Sequence, residues 1–261
     1  MNRTGLTIAL TIGFVVGLIC AVDPQLDLDL ARMFRDPDFP SFVFVVNAQP
    51  WVQHTRLAAR VVVTLLALPG FLALAGRLIW PQRRMLIEGR AALFLVATLA
   101  LGPGLLTSVI LKQHWERARP IDVRQFDGTQ RFSPWWDPRG DCPDNCSFVA
   151  GEPSGAFWTL APAALAPPEL QPIAYGAALA FGVGIGLLRM AAGGHFFSDV
   201  VFAGVFMYLV VWVVHGLIYR WPASPFSEAA IDEFLAEAGQ AIRNGWAALV
   251  RRLAAVRGRG S

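Results

Sequence analysis

Lys112 is the only lysine among the 22 basic residues of a chain of 261. Arg119 stands seven residues on, followed by Pro120. Read as a helix, that spacing is close to two turns, so both cations project from one face, and Pro120 ends the helix. A compact ammonium beside a planar guanidinium makes a clamp for a doubly charged anion, the fork gripping two oxygens of a phosphate. Lys and Arg also anchor helix ends at a membrane surface, so the pair alone carries either meaning.

Two further constellations follow. Cys146-Ser-Phe-Val-Ala-Gly-Glu-Pro-Ser-Gly155 precedes an apolar run. Gly151 allows close approach of backbone to a ligand, and a helix starting near Pro153 offers unpaired N–H groups to an anion. The bland alternative is an ordinary capped helix start. In Arg189-Met-Ala-Ala-Gly-Gly-His195-Phe-Phe-Ser-Asp199, His195 and Asp199 are four apart, on one helix face. A carboxylate there can hold one imidazole nitrogen and leave the other free to attack. Gly193-Gly194 permits a tight turn that returns Arg189 towards His195. A buried structural His–Asp pair has the same spacing.

These residues need elements to hold them, and the composition says which. Hydrophobic residues make up 55% of the chain and charged residues 16%, against about 25% charged in soluble domains. That excludes a disordered chain, a coiled coil and a disulfide-stapled mini-protein. The apolar residues lie in six blocks: Gly5 to Val22, Val61 to Gly76, Ala91 to Leu111, Pro153 to Pro168, Leu170 to Leu188, and Val200 to Tyr219. Each reads as a membrane-spanning helix, because unpaired backbone is too costly in hydrocarbon. No alternating period supports a barrel. The fold class expected is all-α, a six-helix membrane bundle over residues 1–222 with an amphipathic helix and basic tail over 223–261.

Basic residues set the orientation. Arg3, then Arg77, Arg83, Arg84 and Arg90, then Arg220, Arg243, Arg251, Arg252, Arg257 and Arg259 all fall on one side of a six-span topology, which is therefore expected to be cytoplasmic. In the opposite loop, Arg32, Arg35 and Arg56 are accompanied by Asp23, Asp27, Asp29, Asp36 and Asp38. All three polar constellations then lie at outer helix ends, where polar groups at membrane depth are usually functional. The net charge of +3 comes from these flanks and not from a basic stripe, which argues against nucleic acid as a partner.

Two amphipathic segments flank the spans. Leu26 to Phe34 is expected on the outer interface. Phe226 to Val256 carries acids early and arginines late, which suits the helix dipole and a helix lying on an anionic leaflet. A solvated tail helix is the alternative. Cys142 and Cys146 share the long outer loop and would close a small disulfide ring in an oxidising compartment. Two free thiols are the alternative, and a metal site lacks further ligands nearby.

Taken together, Lys112-x6-Arg119-Pro120, then Gly151, then Arg189-x5-His195-x3-Asp199 resembles the three-part signature of the type 2 phosphatidic acid phosphatase superfamily. The resemblance spans about residues 90–215. It implies a six-helix membrane phosphatase with its site at the outer face, in which His195 forms a phosphohistidine and Asp199 orients it. Lys112, Arg119, Arg189 and the Gly151 turn would bind the phosphate. No metal or other cofactor is implied.

The second motif departs from the family's Pro-Ser-Gly-His. Aligned on Ser147-Phe148, Ala150 replaces its serine and Glu152 its histidine, which is the usual general acid. A rival register, Pro153-Ser154-Gly155-Ala156, keeps three letters and loses the acid. The Gly-Glu form resembles the branch that includes bacterial lipid A phosphatases and related bacterial phospholipid phosphatases. The expectation is a bacterial inner-membrane lipid phosphatase acting on a phosphomonoester at the periplasmic face, with Glu152 as general acid. The substrate would be a lipid A-like molecule or a glycerophospholipid. Alternatives are an undecaprenyl pyrophosphate phosphatase, a lipid phosphotransferase using the same site, and a non-catalytic lipid-phosphate binding or transport protein.

Overall fold

A computed structural model describes residues 2–35, 44–221 and 225–257, with backbone alone at 45, 250 and 252–257. Asp36, Asp38 and Arg259 lie outside the described residues. The described chain is helical, with one isolated bridge between Val123 and Gln130. In chain order the helices are α1 (Arg3–Val22), α2 (Gln25–Arg32), α3 (Pro50–Ile79), α4 (Gly89–His114), α5 (Gly151–Phe157), α6 (Leu160–Ala164), α7 (Gln171–Ala191), α8 (Phe197–Arg220) and α9 (Glu228–Arg257). Five of them, α1, α3, α4, α7 and α8, are long and apolar enough to cross a membrane.

Contacts divide the chain into one unit of Met1–Leu66 with Ala97–Val214, and another of Ala67–Val96 with His215–Ser261. In the first unit the spanning helices turn large apolar side chains outward. Ile8, Phe14, Leu18 and Val22 of α1 are exposed, while Ala9, Gly13, Gly17 and Cys20 are buried. Hydrocarbon is as apolar as leucine, so such helices associate through small residues that let backbones approach. A Cβ on Gly13 would stand 3.2 Å from Val205 of α8, and one on Gly17 would stand 3.1 Å from Phe202. Phe148, Trp135, Phe202 and Phe206 pack ring against ring at the centre, with Trp115 stacked on Phe148.

The fourth apolar block folds as α5 and α6, too short singly to cross. Pro162 has no N–H to give the Trp158 carbonyl, and the ladder tightens there to i→i+3 bonds. Thr159 N donates to Ala156 O at 3.1 Å, and Ala161 N to Trp158 O at 2.8 Å. Trp158 Nε1 donates to Thr98 Oγ1 of α4 at 2.9 Å.

α4 passes into a π-helical stretch over Ala100–Leu111 that contains Pro103. It ends at His114, which corrects the expectation of one helix through Arg119. Glu116 takes a left-handed φ of 45°, and Arg119 is extended at φ −80°, ψ 156°. The cause lies in the sequence, since a residue before proline is pushed out of the helical region.

In the second unit, α9 buries Ile231 and Leu235. Its Glu228 accepts from the N–H groups of Gly89 and Arg90 at the start of α4, where the helix dipole favours a carboxylate. Asp232 pairs with Arg77 of α3 at 2.6 Å.

Candidate active site

His195 stands just ahead of α8, whose first turn supplies Asp199. The ring is 3% exposed, and its Nδ1 lies 2.8 Å from the Ser147 carbonyl. A carbonyl can only accept, so Nδ1 carries the proton and Nε2 keeps its lone pair. Asp199 Oδ2 is 3.9 Å from Nδ1, outside hydrogen-bond range. Instead it accepts from Ser147 Oγ at 2.5 Å and from Phe196 N at 2.8 Å. The sequence placed the pair on one helix face. In the structure the serine before Phe148 stands between them.

Burial holds the His195 imidazole well below its ordinary pKa, and Lys112, Arg189 and Arg119 push it the same way, against the bond to Ser147. Positive charge around a buried ring penalises its protonated form. The ring is therefore neutral at and below neutral pH, as a nitrogen nucleophile must be.

The cations come from three elements. Lys112 sits in the last turn of α4, and its Nζ donates to Asn145 Oδ1 at 2.9 Å. Arg119 reaches the Asn145 carbonyl through Nε at 3.1 Å and Nη2 at 2.6 Å. Asn145 is exposed and left-handed, φ 49°, inside the ring closed by the Cys142–Cys146 disulfide. Arg189 lies in the last turn of α7 and is 5% exposed. Gly193 turns the chain at φ +66°, and a Cβ on Gly194 would collide with the Arg189 guanidinium. Among the described residues Arg189 Nη1 is buried without a hydrogen-bond partner. Gly151 opens α5, and a Cβ there would stand 3.0 Å from Lys112 Cε.

Glu152, in the first turn of α5, accepts from Arg56 Nε at 3.0 and 2.9 Å and lies 3.2 Å from Arg189 Nε. In the rival register, Ser154 points elsewhere. It donates to the Ala150 carbonyl at 2.8 Å and faces Thr107 of α4 at 3.2 Å. Arg56 and Arg60 stand at a groove of about 340 Å³ whose lining includes Ala59, Val63, Ala156 and Ile185.

Sequence reasoning did not single out Asp27, Arg56, Arg117, Asn145 or Ser147. Arg117 is fully buried. It donates to Ser133 O at 3.0 Å, Ser198 Oγ at 2.9 Å, Asp27 Oδ2 at 2.7 Å and to Asp199 Oδ1. Phe196 lies under its guanidinium at 4.5 Å. Burial opposes its charge, but Asp199 and Asp27 outweigh that and raise its pKa. Segment 26–34 read as interfacial, yet Asp27 sits on the buried face of α2. One signal was available: Arg117 lies within the first motif, between Lys112 and Arg119.

Residues 91–223 match the PAP2 superfamily. A lipid A 4'-phosphatase of Francisella tularensis subsp. novicida is 36% identical over 222 residues, covering 84% of this chain and 98% of that protein. A lipid A 4'-phosphatase of Rhizobium leguminosarum is 37% identical over 106 residues, 41% of this chain and 46% of that protein. One from Rhizobium etli is 35% identical over 105 residues, 40% of this chain and 41% of that protein. No solved structure matches the chain.

Proposed function

Because the chain belongs to the PAP2 superfamily, we propose that it is a membrane lipid phosphatase that removes a phosphate monoester from lipid A, at the periplasmic face of a bacterial inner membrane. The observation that carries the proposal is His195. It is a buried imidazole with Nδ1 committed to a carbonyl, which leaves the Nε2 lone pair for attack, under the field of Lys112, Arg119 and Arg189.

The phosphate enters the cationic pocket while the acyl chains stay in the bilayer, one of them along the groove beside Ala59, Val63 and Ile185. The unpartnered Nη1 of Arg189 is a donor available to a phosphate oxygen. His195 Nε2 attacks phosphorus in line, the N–P bond forms as the ester P–O bond breaks, and the leaving oxygen takes a proton. Water then cleaves the phosphohistidine to inorganic phosphate and restores the ring. The cations stabilise charge on the equatorial oxygens throughout.

Glu152 is the group proposed to protonate the leaving oxygen. Its contacts with Arg56 and Arg189 must loosen first. A phosphate arriving at Arg189 supplies the competing anion.

The test is phosphate release by purified protein in detergent micelles. The panel is lipid A, phosphatidic acid, phosphatidylglycerophosphate and undecaprenyl pyrophosphate, each with and without EDTA. Release from lipid A that survives EDTA and stops in His195→Ala is the expected result. Undiminished release by His195→Ala sinks the mechanism. Loss of donor phosphate without free phosphate would indicate transfer to a second lipid.

A further inference from the structure

Asp27, Arg117 and Asp199 form a line of charges running from α2 to the imidazole, with relative exposures of 1%, 0% and 0%. Asp27 accepts from Ser198 N at 3.0 Å and Ser198 Oγ at 2.5 Å as well as from Arg117. We infer that Asp27 and Arg117 are positioning residues for His195, acting through Asp199 and Ser147. The inference rests on the proposed role of His195 as nucleophile.

The bonds follow one another in order. Asp27 fixes the Arg117 guanidinium. The guanidinium fixes Asp199, and Asp199 fixes the Ser147 hydroxyl. The Ser147 carbonyl then holds Nδ1. Arg117 reaches Ser147 a second way, since Ser147 N donates to the Arg117 carbonyl at 2.7 Å. Ser147 is thus held at its amide and its hydroxyl, which leaves its carbonyl aimed at the ring. Among the described residues none of these bonds is made by Lys112, Arg119 or Arg189, which reach Asn145 and Glu152 instead. Stability alone is a poor reason for such a cluster, because apolar residues of similar volume often serve as well as a buried ion pair. Fixing one orientation of a polar group is a better-attested use.

Asp27→Asn keeps the shape of the side chain and removes its charge. It should lower kcat roughly 10- to 100-fold, the usual effect of releasing a group that orients a catalytic ligand, with KM within about twofold because the phosphate cations are untouched. The ring should report the same change without turnover. The chain has four histidines, so the His195 signals in an ¹⁵N-histidine spectrum are identified by their absence in His195→Gln. Wild type should show Nδ1–H with a bare Nε2, and Asp27→Asn a mixture of tautomers. Ser198→Ala, which leaves every charge in place, should lower kcat about threefold at constant KM, and it keeps the test open if Asp27→Asn does not fold. Folded variants with wild-type kcat and a wild-type His195 spectrum overturn the inference. Wild type that releases no phosphate would remove the proposed reaction, while the two spectra would still decide whether Asp27 positions the ring.

Discussion

Arg117 and Arg189 flank the same imidazole and are spent in opposite ways. Arg117 directs its nitrogens to two carboxylates, a serine hydroxyl and a carbonyl and has no exposed surface. Arg189 is nearly as buried, yet its one ion pair is with Glu152 and its Nη1 has no partner among the described residues. A buried donor left unpaired costs roughly 1–3 kcal/mol, a cost that an anion bound at Nη1 would remove. Charge already matched by the protein's own acids builds the frame. Charge left short of partners awaits an anion.

The largest test of that contrast is His195→Ala. It should abolish phosphate release while leaving the unfolding transition close to wild type, since the ring gives the frame a single strong hydrogen bond. Next, Glu152→Gln should slow a lipid phosphomonoester by about 10²- to 10⁴-fold, the usual worth of a general acid. It should slow a pyrophosphate much less, because a leaving phosphate needs little protonation. Equal small losses on both substrates would make Glu152 a brace for Arg189 and Arg56.

Arg117→Ala and Arg119→Ala then separate frame from pocket. The first leaves Asp27 and Asp199 buried without their cation and should cost about 3–5 kcal/mol of stability, read as a lowered unfolding midpoint. The second, at a half-buried residue bonded to a loop carbonyl, should cost under about 1 kcal/mol and appear as a raised KM. Similar losses of stability in both would erase the distinction.

The smallest effect expected is a null one. A solvated histidine gains a proton near pH 6.5. His195, held lower by burial and three cations, should show no titration in its ¹⁵N signals as pH falls through 6.5. Protonating it in the folded chain is disfavoured, so this group favours folding above that pH, and its contribution is lost at more acid pH. A His195 midpoint at 6.5 would mean that the pocket is wet and the cations are screened.

Much of the frame was legible in the sequence, and the reasons are physical. Uncharged blocks mark α1, α4, α7 and α8 because hydrocarbon tolerates little else. The same rule began the second span at Val61, whereas α3 starts at Pro50, because Arg56 and Arg60 belong to the helix although their charges end the block. Lys112, Arg119, Arg189 and His195 could be picked out as candidates because their spacing is fixed along the chain. Asp27 was not, since its partners Arg117 and Ser198 lie 90 and 171 residues away and no local pattern records such a pairing. Ser147 escaped because the group that meets the ring is its carbonyl, which every residue possesses, and its hydroxyl's partner Asp199 lies 52 residues away.

Asn145 has a consequence for turnover. Its two oxygens occupy Lys112 and Arg119, the donors proposed for the phosphate. In the proposed reaction, the departing phosphate would leave behind two cations that a neighbouring side chain and carbonyl can immediately solvate. The empty pocket is thus spared the full cost of bare charge, and the affinity for the product is capped by a competitor tethered at high local concentration. A disulfide ring that holds Asn145 close is, in that sense, a device for letting go.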